Sequence, residues 1–299
     1  AKIPFTKVQE LNNKKQDFGN TDVQAVSIMG DKVLIGGQAL LGVYSLTNGT
    51  FTDLSKKLPQ DDRARFRTVT AISNNGKYWL AITSGSEGQQ LWKVSGTTVT
   101  EKFLGPNKTP SLVPGRISAI DWSGSEWLIG DWVGHLYSFD GETATDLTSD
   151  VDAILSPTRD NNITGIVADG KNWRLLIRSS VYTYVGHTLT LVPVPESSLV
   201  NSMGYHNGEW VYVNRDHRIF LGHGSSVTDS LQTLPSYAIQ DLVWTGTAWF
   251  NGTNFFDGAS LSAPAGVSLL GTGQGAVVDA SDHYAVFAGR DGVVSVLTF

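Results

Sequence analysis

The chain has 299 residues, of which 22 are Lys or Arg and 28 are Asp or Glu, so its formal net charge is −6. Nucleic acids and anionic membrane surfaces select clustered positive charge, and this composition therefore excludes both as expected partners. The chain has no Cys, which excludes disulfides, thiolate metal sites and thiol nucleophiles. It also has no run of about 18 apolar residues, so we expect no insertion into a membrane.

A unit made of a short apolar segment, a Gly turn and a second strand recurs seven times along the chain. The third copy covers residues 117–130, with its turn at Gly124. The equivalent positions of the second strand are 35 to 48 residues apart and are occupied by Val33, Trp79, Trp127, Trp173, Trp210, Trp249 and Tyr284. This interval is typical of a four-stranded propeller blade. A further turn, at Asp140-Gly141 in the third copy, gives each unit the pattern of a β-meander.

The repeats predict an all-β fold, a seven-bladed β-propeller of four-stranded antiparallel blades that forms one domain over residues 1–299. In the third blade the predicted strands are 117–122, 127–130, 134–139 and 143–147. The last unit ends before its fourth strand, and residues 3–11 resemble the outer strand at 50–58. We therefore expect the N-terminal strand to complete the C-terminal blade, which closes the ring and removes open sheet edges.

One stretch of the third repeat resembles a known family. Residues 127–141, WLIGDWVGHLYSFDG, are similar to the Trp-Ile-Gly, Gly-Leu-Tyr and Asp-Gly pattern in the propeller repeats of bacterial two-component sensor ectodomains. The resemblance implies a propeller over essentially the whole chain. It does not imply signalling, because those ectodomains continue into a membrane span and a kinase, and this sequence contains neither.

The innermost strand of six units reads apolar, polar, usually small, apolar. The residues at its polar place are Gln24, Thr70, Ser118, Thr164, Asn201 and Gln240. Repeated around the axis, they are expected to line the central channel. Two interpretations are open: the ring holds a small polar ligand or ion, or it hydrates the channel and satisfies buried polar groups through ordered water.

In a propeller, the loops between second and third strands and the connections between blades lie on one side, which we call the loop face. The connections at 56–68, 105–116 and 148–162 are long, and long loops on a rigid scaffold usually carry function. They contain the Arg residues of a predicted anion pocket, which are Arg63, Arg67, Arg116 and Arg159. Guanidinium groups bind carboxylate, sulfate or phosphate in bidentate fashion. The alternative is solvated charge paired with neighbouring Asp.

Trp132 is the most suggestive single side chain on the loop face. The repeat already places Trp127 between neighbouring blades, so Trp132 is an additional Trp. An exposed indole suits stacking on a sugar face, with Asp131 and His135 as polar contacts. The alternative is that Trp132 covers the adjacent blade and seals the core.

These features lead to three functional hypotheses. The first is a non-enzymatic binding propeller, monomeric and extracellular, periplasmic or at the cell surface, that recognises a glycan or protein on the loop face of its early blades. The second is a glycosidase- or lyase-type enzyme acting on a polysaccharide, which requires converging carboxylates. The third is a structural or adhesive module. The six His residues show no metal-ligand spacing, so neither a metal nor a cofactor is predicted.

Overall fold

The structure is a computed structural model and forms the predicted seven-bladed β-propeller. It describes residues 22–60, 67–85, 88–102, 116–156, 161–170, 172–195, 199–235, 241–263, 277–288 and 294–299, together with the backbone of Lys7–Leu11. Seven antiparallel four-stranded sheets follow one another along the chain. The innermost strand of each blade contacts that of the next, and the last contacts the first. The ring is therefore closed at the level of the inner strands.

The blades are built from strands β1 to β28 in chain order. Blades 1 to 3 contain β2 (Val23–Met29), β3 (Lys32–Gly37), β4 (Leu40–Ser45) and β5 (Phe51–Asp53); β6 (Thr68–Asn74), β7 (Trp79–Gly85), β8 (Gly88–Ser95) and β9 (Thr98–Lys102); and β10 (Ile117–Trp122), β11 (Trp127–Asp131), β12 (Leu136–Phe139) and β13 (Ala144–Asp146). Blades 4 and 5 contain β14 (Ile163–Ala168), β15 (Trp173–Ile177), β16 (Ser180–Val185) and β17 (Thr188–Leu191); and β18 (Val200–His206), β19 (Glu209–Asn214), β20 (Arg218–His223) and β21 (Ser226–Thr233). Blade 6 contains β22 (Val243–Trp244), β23 (Trp249–Phe250), β24 (Phe255–Phe256) and β25 (Leu261–Ser262). A 3-10 turn (Ser55–Lys57) follows blade 1, and a short helix, α1 (Thr148–Asp152), follows blade 3.

The seventh blade is closed by the two ends of the chain. It contains β26 (Val277–Ala280), β27 (Tyr284–Ala288), β28 (Val294–Thr298) and, on its outer edge, β1 (Lys7–Leu11). β1 is antiparallel to β28, with Lys7 opposite Thr298 and Leu11 opposite Val294. The predicted closure is confirmed over these residues.

Among the described residues the core consists of seven apolar clusters, and each cluster lies between two neighbouring blades. The Trp residues of the second strands fill these wedges, and Trp79 and Trp127 are 1% and 0% exposed. The predicted position in the last blade was wrong by one residue. Ala285, opposite Ala280, holds the register that Trp127 holds opposite Trp122, instead of Tyr284. Aromatic side chains of blade 6 occupy the wedge beside Ala285, so no Trp is needed there.

The polar place of the inner strand coincides with an irregularity of the sheet. In blades 1 to 5 the register between first and second strands shifts at this residue, as at Ser118 between Ile117 and Ala119. A β-bulge inserts one residue and re-aims its side chain. The repeated polar residue of the sequence is therefore the bulge residue of each of these blades.

Candidate binding sites on the loop face and in the channel

The predicted residues of blade 3 form one cluster on the loop face. Trp132 is 47% exposed, and its backbone N–H donates to the carbonyl of Arg116 over 2.9 Å. His135 Nδ1 lies 2.7 Å from the carboxylate of Asp131. The indole is therefore accessible beside an Asp–His pair, and its role in ligand binding stays a prediction.

Asp131 has a structural task within this cluster, since it is fully buried. Its Oδ1 accepts the backbone N–H of Val133 and of His135, over 3.0 and 2.8 Å. Asn214 occupies the same place at the end of the second strand of blade 5, and its Oδ1 accepts the N–H of Arg218 in its own turn. The carboxylate holds the turn and orients His135, so His135 is the member of the pair that reaches solvent.

The predicted anion pocket is described only in part. Arg116 is exposed beside Trp132. Arg67 is 3% exposed at the junction of blades 1 and 2, where its carbonyl accepts the N–H of Ala39. Arg63 and Arg159 lie outside the described residues. An Arg-lined pocket therefore stays a prediction.

Five of the residues predicted to line the channel lie around one cavity. It has a volume of about 280 Å³, occupies the loop-face half of the channel and is lined by Gln24, Thr70, Ser118, Thr164 and Asn201. Gln240 lies outside the described residues. Thr70 Oγ1 donates to the carbonyl of Ile82 over 3.4 Å, and Ser118 Oγ makes the equivalent contact with Gly130. These hydroxyls satisfy backbone groups beside the bulge, and a bound ligand or ion at the ring stays a prediction.

The other half of the channel opens on the turn face, where the turns between first and second strands lie. Here the channel widens into a cavity of about 640 Å³, which we call the vestibule. An apolar ring separates the two cavities and consists of Val26, Ile72, Ile120, Ile166, Met203 and Val278. Beyond this ring the wall carries the carboxyl groups of Asp121, Asp279 and Asp282, whereas Asp241 lies at the level of the ring and lines both cavities. The described residues that line the vestibule include no Lys or Arg.

Asp121 and Asp279 hold the same position in the inner strands of blades 3 and 7. Burial raises the pKa of Asp121 from 3.8 to about 6, although its carboxylate accepts the backbone N–H of Ala168 in the next blade over 2.8 Å. Asp279 likewise accepts the N–H of Ile28 in blade 1 over 2.7 Å. Its pKa is also raised to about 6, mainly by burial and further by the charge of Asp121. Two desolvated carboxyls, one from blade 3 and one from blade 7, therefore line the vestibule.

A third carboxyl and an aromatic pair complete the vestibule. Burial raises the pKa of Asp241, and a hydrogen bond from Ser202 opposes this effect. Although protein surrounds Asp241 on the channel wall, its side chain remains accessible to solvent through the cavity. The imidazole of His206 stacks on the indole of Trp244, with ring centroids 4.4 Å apart and an interplanar angle of 14°. The vestibule thus combines partly exposed carboxyls with a fixed aromatic surface.

Within the described ranges, no group of three or more His, Asp or Glu side chains has the arrangement of a metal site. No helix among the described residues is long and apolar enough to cross a membrane.

The fold is shared with solved structures of very different function. No protein-family model and no curated protein matches the sequence. A catalytically inactive variant of virginiamycin B lyase from Staphylococcus aureus with quinupristin is 11% identical, with a TM-score of 0.73 and coverage of 98% of this chain and 99% of that one. YCF48 bound to D1 peptide is 11% identical, with a TM-score of 0.68 and coverage of 100% and 99%. The WD40 β-propeller domain of Doa1 is 10% identical, with a TM-score of 0.66 and coverage of 98% and 96%. At these identities the likeness establishes the fold and leaves the function open.

Proposed function

We propose that this protein is a binding propeller that receives a positively charged side chain of a protein partner in its vestibule. The observation that carries the proposal is the group of three carboxyls, Asp121, Asp241 and Asp279, around a cavity of about 640 Å³. This volume lies within the range of about 300–1,000 Å³ that is usual for ligand pockets. A Lys or Arg of the partner supplies the positive charge that the described lining lacks.

The electrostatics of the vestibule favour a cationic ligand over a neutral one. Burial disfavours the ionised forms of Asp121 and Asp279, which is why the pKa of each is raised to about 6. A cation bound between them stabilises the ionised forms and lowers both pKa values. Binding therefore releases protons near pH 6, and affinity rises as the pH increases through that value. The Trp244 indole adds a surface for cation–π contact.

The proposal is tested with a displayed library of short peptides, followed by calorimetric titration of the selected sequence. Replacing its Arg by citrulline, which keeps the shape and removes the charge, is expected to weaken binding by about tenfold or more. Asp121→Asn combined with Asp279→Asn is expected to do the same, whereas Asp216→Asn, an exposed Asp outside the channel, is the matched control. Equal affinity for the Arg and citrulline peptides would contradict the proposal.

A second candidate function, an enzyme of lyase type, is favoured by the Asp131–His135 pair. A buried carboxylate 2.7 Å from Nδ1 fixes the imidazole and leaves Nε2 as the ring nitrogen available for proton transfer. Quinupristin is a direct probe, and its conversion is followed by mass spectrometry. Conversion is expected to be lost in His135→Ala and kept in His187→Ala, because His187 is also paired with an Asp over 2.8 Å but lies elsewhere. No conversion by the unmodified protein excludes this substrate.

A further inference from the structure

A second cavity lies on the turn face, between blades 5 and 6. It has a volume of about 420 Å³, and we call it the blade 5–6 groove. Blade 5 contributes Glu209, His223 and Thr228, and blade 6 contributes Trp244 and Trp249. Both Trp residues also line the vestibule, so the two cavities share an aromatic wall. None of the residues predicted from the sequence as ligand-binding lines this groove.

The aromatic wall of the groove is rigid. His206 stacks on Trp244, and Trp249 meets Trp244 in a T-shaped contact with centroids 5.4 Å apart and an angle of 71°. The Nε1 of Trp244 is enclosed and has no hydrogen-bond partner among the described residues. The indole N–H is closed off from solvent, so a ligand in the groove contacts Trp244 through its ring.

The rim of the groove is polar and carries no described positive charge. Asp257 is already committed to its own turn, where Oδ1 accepts the N–H groups of Ala259 and Ser260. The exposed side chains of Glu209, His223 and Ser226 are rim groups that remain for a ligand, whereas the hydroxyl of Thr228 already donates to the carbonyl of Leu221 over 3.5 Å. Two carboxylates without a Lys or Arg disfavour sulfated and acidic sugars, because like charges repel.

We propose that the blade 5–6 groove binds a neutral sugar unit of a glycan. A pyranose has an apolar face of C–H groups and an edge of hydroxyls, which match an indole wall and a rim of hydrogen-bonding side chains. One aromatic side chain of a peptide would leave much of the 420 Å³ unfilled, and it would leave the polar rim without partners. The site does not depend on cation binding in the vestibule.

The experiment follows the indole N–H signals of the nine Trp residues by NMR, with N,N′-diacetylchitobiose, cellobiose and lactose as probes. Trp244→Phe assigns the Trp244 signal. We expect at least one neutral disaccharide to shift that signal saturably. If none of the three disaccharides shifts it, the proposal is wrong.

Two matched pairs of variants locate the binding. Thr228→Trp fills the groove from an exposed position and is expected to weaken binding about tenfold or more, whereas Thr100→Trp, at the same register of blade 2, leaves it unchanged. Glu209→Gln is expected to weaken binding, whereas Glu126→Gln, before the wedge Trp of blade 3, does not. Equal binding in Thr228→Trp and Thr100→Trp would place the sugar elsewhere and overturn the proposal.

A last variant separates this site from the vestibule. Asp121→Asn combined with Asp279→Asn is expected to leave sugar binding unchanged, because neither residue lines the groove. Loss of sugar binding in this variant would show that the sugar occupies the vestibule, which overturns the inference. Loss of peptide binding with retained sugar binding would support both proposals.

Discussion

Replacing the two equivalent vestibule carboxyls, by Asp121→Asn and Asp279→Asn, is expected to stabilise the empty protein at neutral pH. Burial raises the pKa of each carboxyl from 3.8 to about 6. A tenfold change in proton affinity is worth about 1.36 kcal/mol, so ionisation of each buried carboxyl lowers the free energy of unfolding by about 3 kcal/mol. An amide is neutral at every pH and keeps an oxygen that accepts the N–H of the next blade.

The sign and the pH range follow from linkage. Between pH 3.8 and about 6 the folded state binds more protons than the unfolded state, so the free energy of unfolding falls as the pH rises through this range. Below this pH range the carboxyls are protonated in both the folded and the unfolded state and do not lower the free energy of unfolding. Each Asn variant is therefore expected to match the unmodified protein near pH 3.5 and to exceed it by up to about 3 kcal/mol near pH 8. The double variant gains less than the sum, because the charge of Asp121 contributes to the raised pKa of Asp279.

The assay is urea unfolding at a series of pH values, analysed by linear extrapolation. Asp216→Asn, at an exposed turn position, serves as the control and is expected to show no such pH dependence. A loss of stability at pH 8 would refute the reasoning, because it would mean that the charged hydrogen bonds to Ala168 and Ile28 outweigh desolvation. A gain of equal size at every pH would also refute it.

Three further outcomes are expected. Deletion of residues 1–11 removes β1 and exposes β28 as an open edge, so we expect a lower urea midpoint and concentration-dependent association in light scattering. Gly130→Ala places a Cβ 2.6 Å from Ile163 Cγ2 and is expected to cost about 1–3 kcal/mol in urea unfolding. Trp132→Ala is expected to lower binding on a glycan array, because its indole is 47% exposed beside His135; unchanged binding removes Trp132 from the site.

The fold was predictable because its signals are local and repeated. In six of the seven units the wedge residue lies in an apolar strand that follows a Gly turn, and this repetition makes the pattern recognisable. The last blade shows the limit of this reasoning. An aromatic residue at the wedge position predicted Tyr284, whereas the strand register places Ala285 there. Register depends on pairing between strands, which composition at one position does not reveal.

The loop-face cluster was predictable in part. The sequence singled out Trp132 as an additional Trp and left open whether its indole is exposed or covers the adjacent blade; in the structure it is 47% exposed. The burial of Asp131 had a signal in the sequence as well, because Asn214 stands at the same place in blade 5, four residues after the wedge Trp. A short acceptor that recurs directly after a strand is typical of a turn cap. That repetition favours a structural task for the carboxylate.

The vestibule and the groove depend on contacts between blades, and this is why the sequence did not reveal them. Asp279 lies in the unit whose inner strand departs most from the repeat, so its equivalence to Asp121 was not visible. Trp244 and Thr228 belong to different blades and line one groove only because blades 5 and 6 pack against each other. The residues of one blade are enough to predict which side chain packs against the next blade, whereas a cavity between two blades depends on how both are arranged.

The chain contains its own control for the role of the vestibule carboxyls. The position of Asp121 and Asp279 is occupied by other residues in the remaining inner strands, which are Ser27, Ser73, Val167, Gly204 and Val243. A hydroxyl, an apolar side chain and no side chain at all are accepted there, so the architecture does not require a carboxyl. Asp121→Val, which copies Val167 of the next blade, is therefore expected to fold and to lose cation binding. If it unfolds instead, Asp121 is needed for the junction with Ala168, and the functional interpretation of this carboxyl fails.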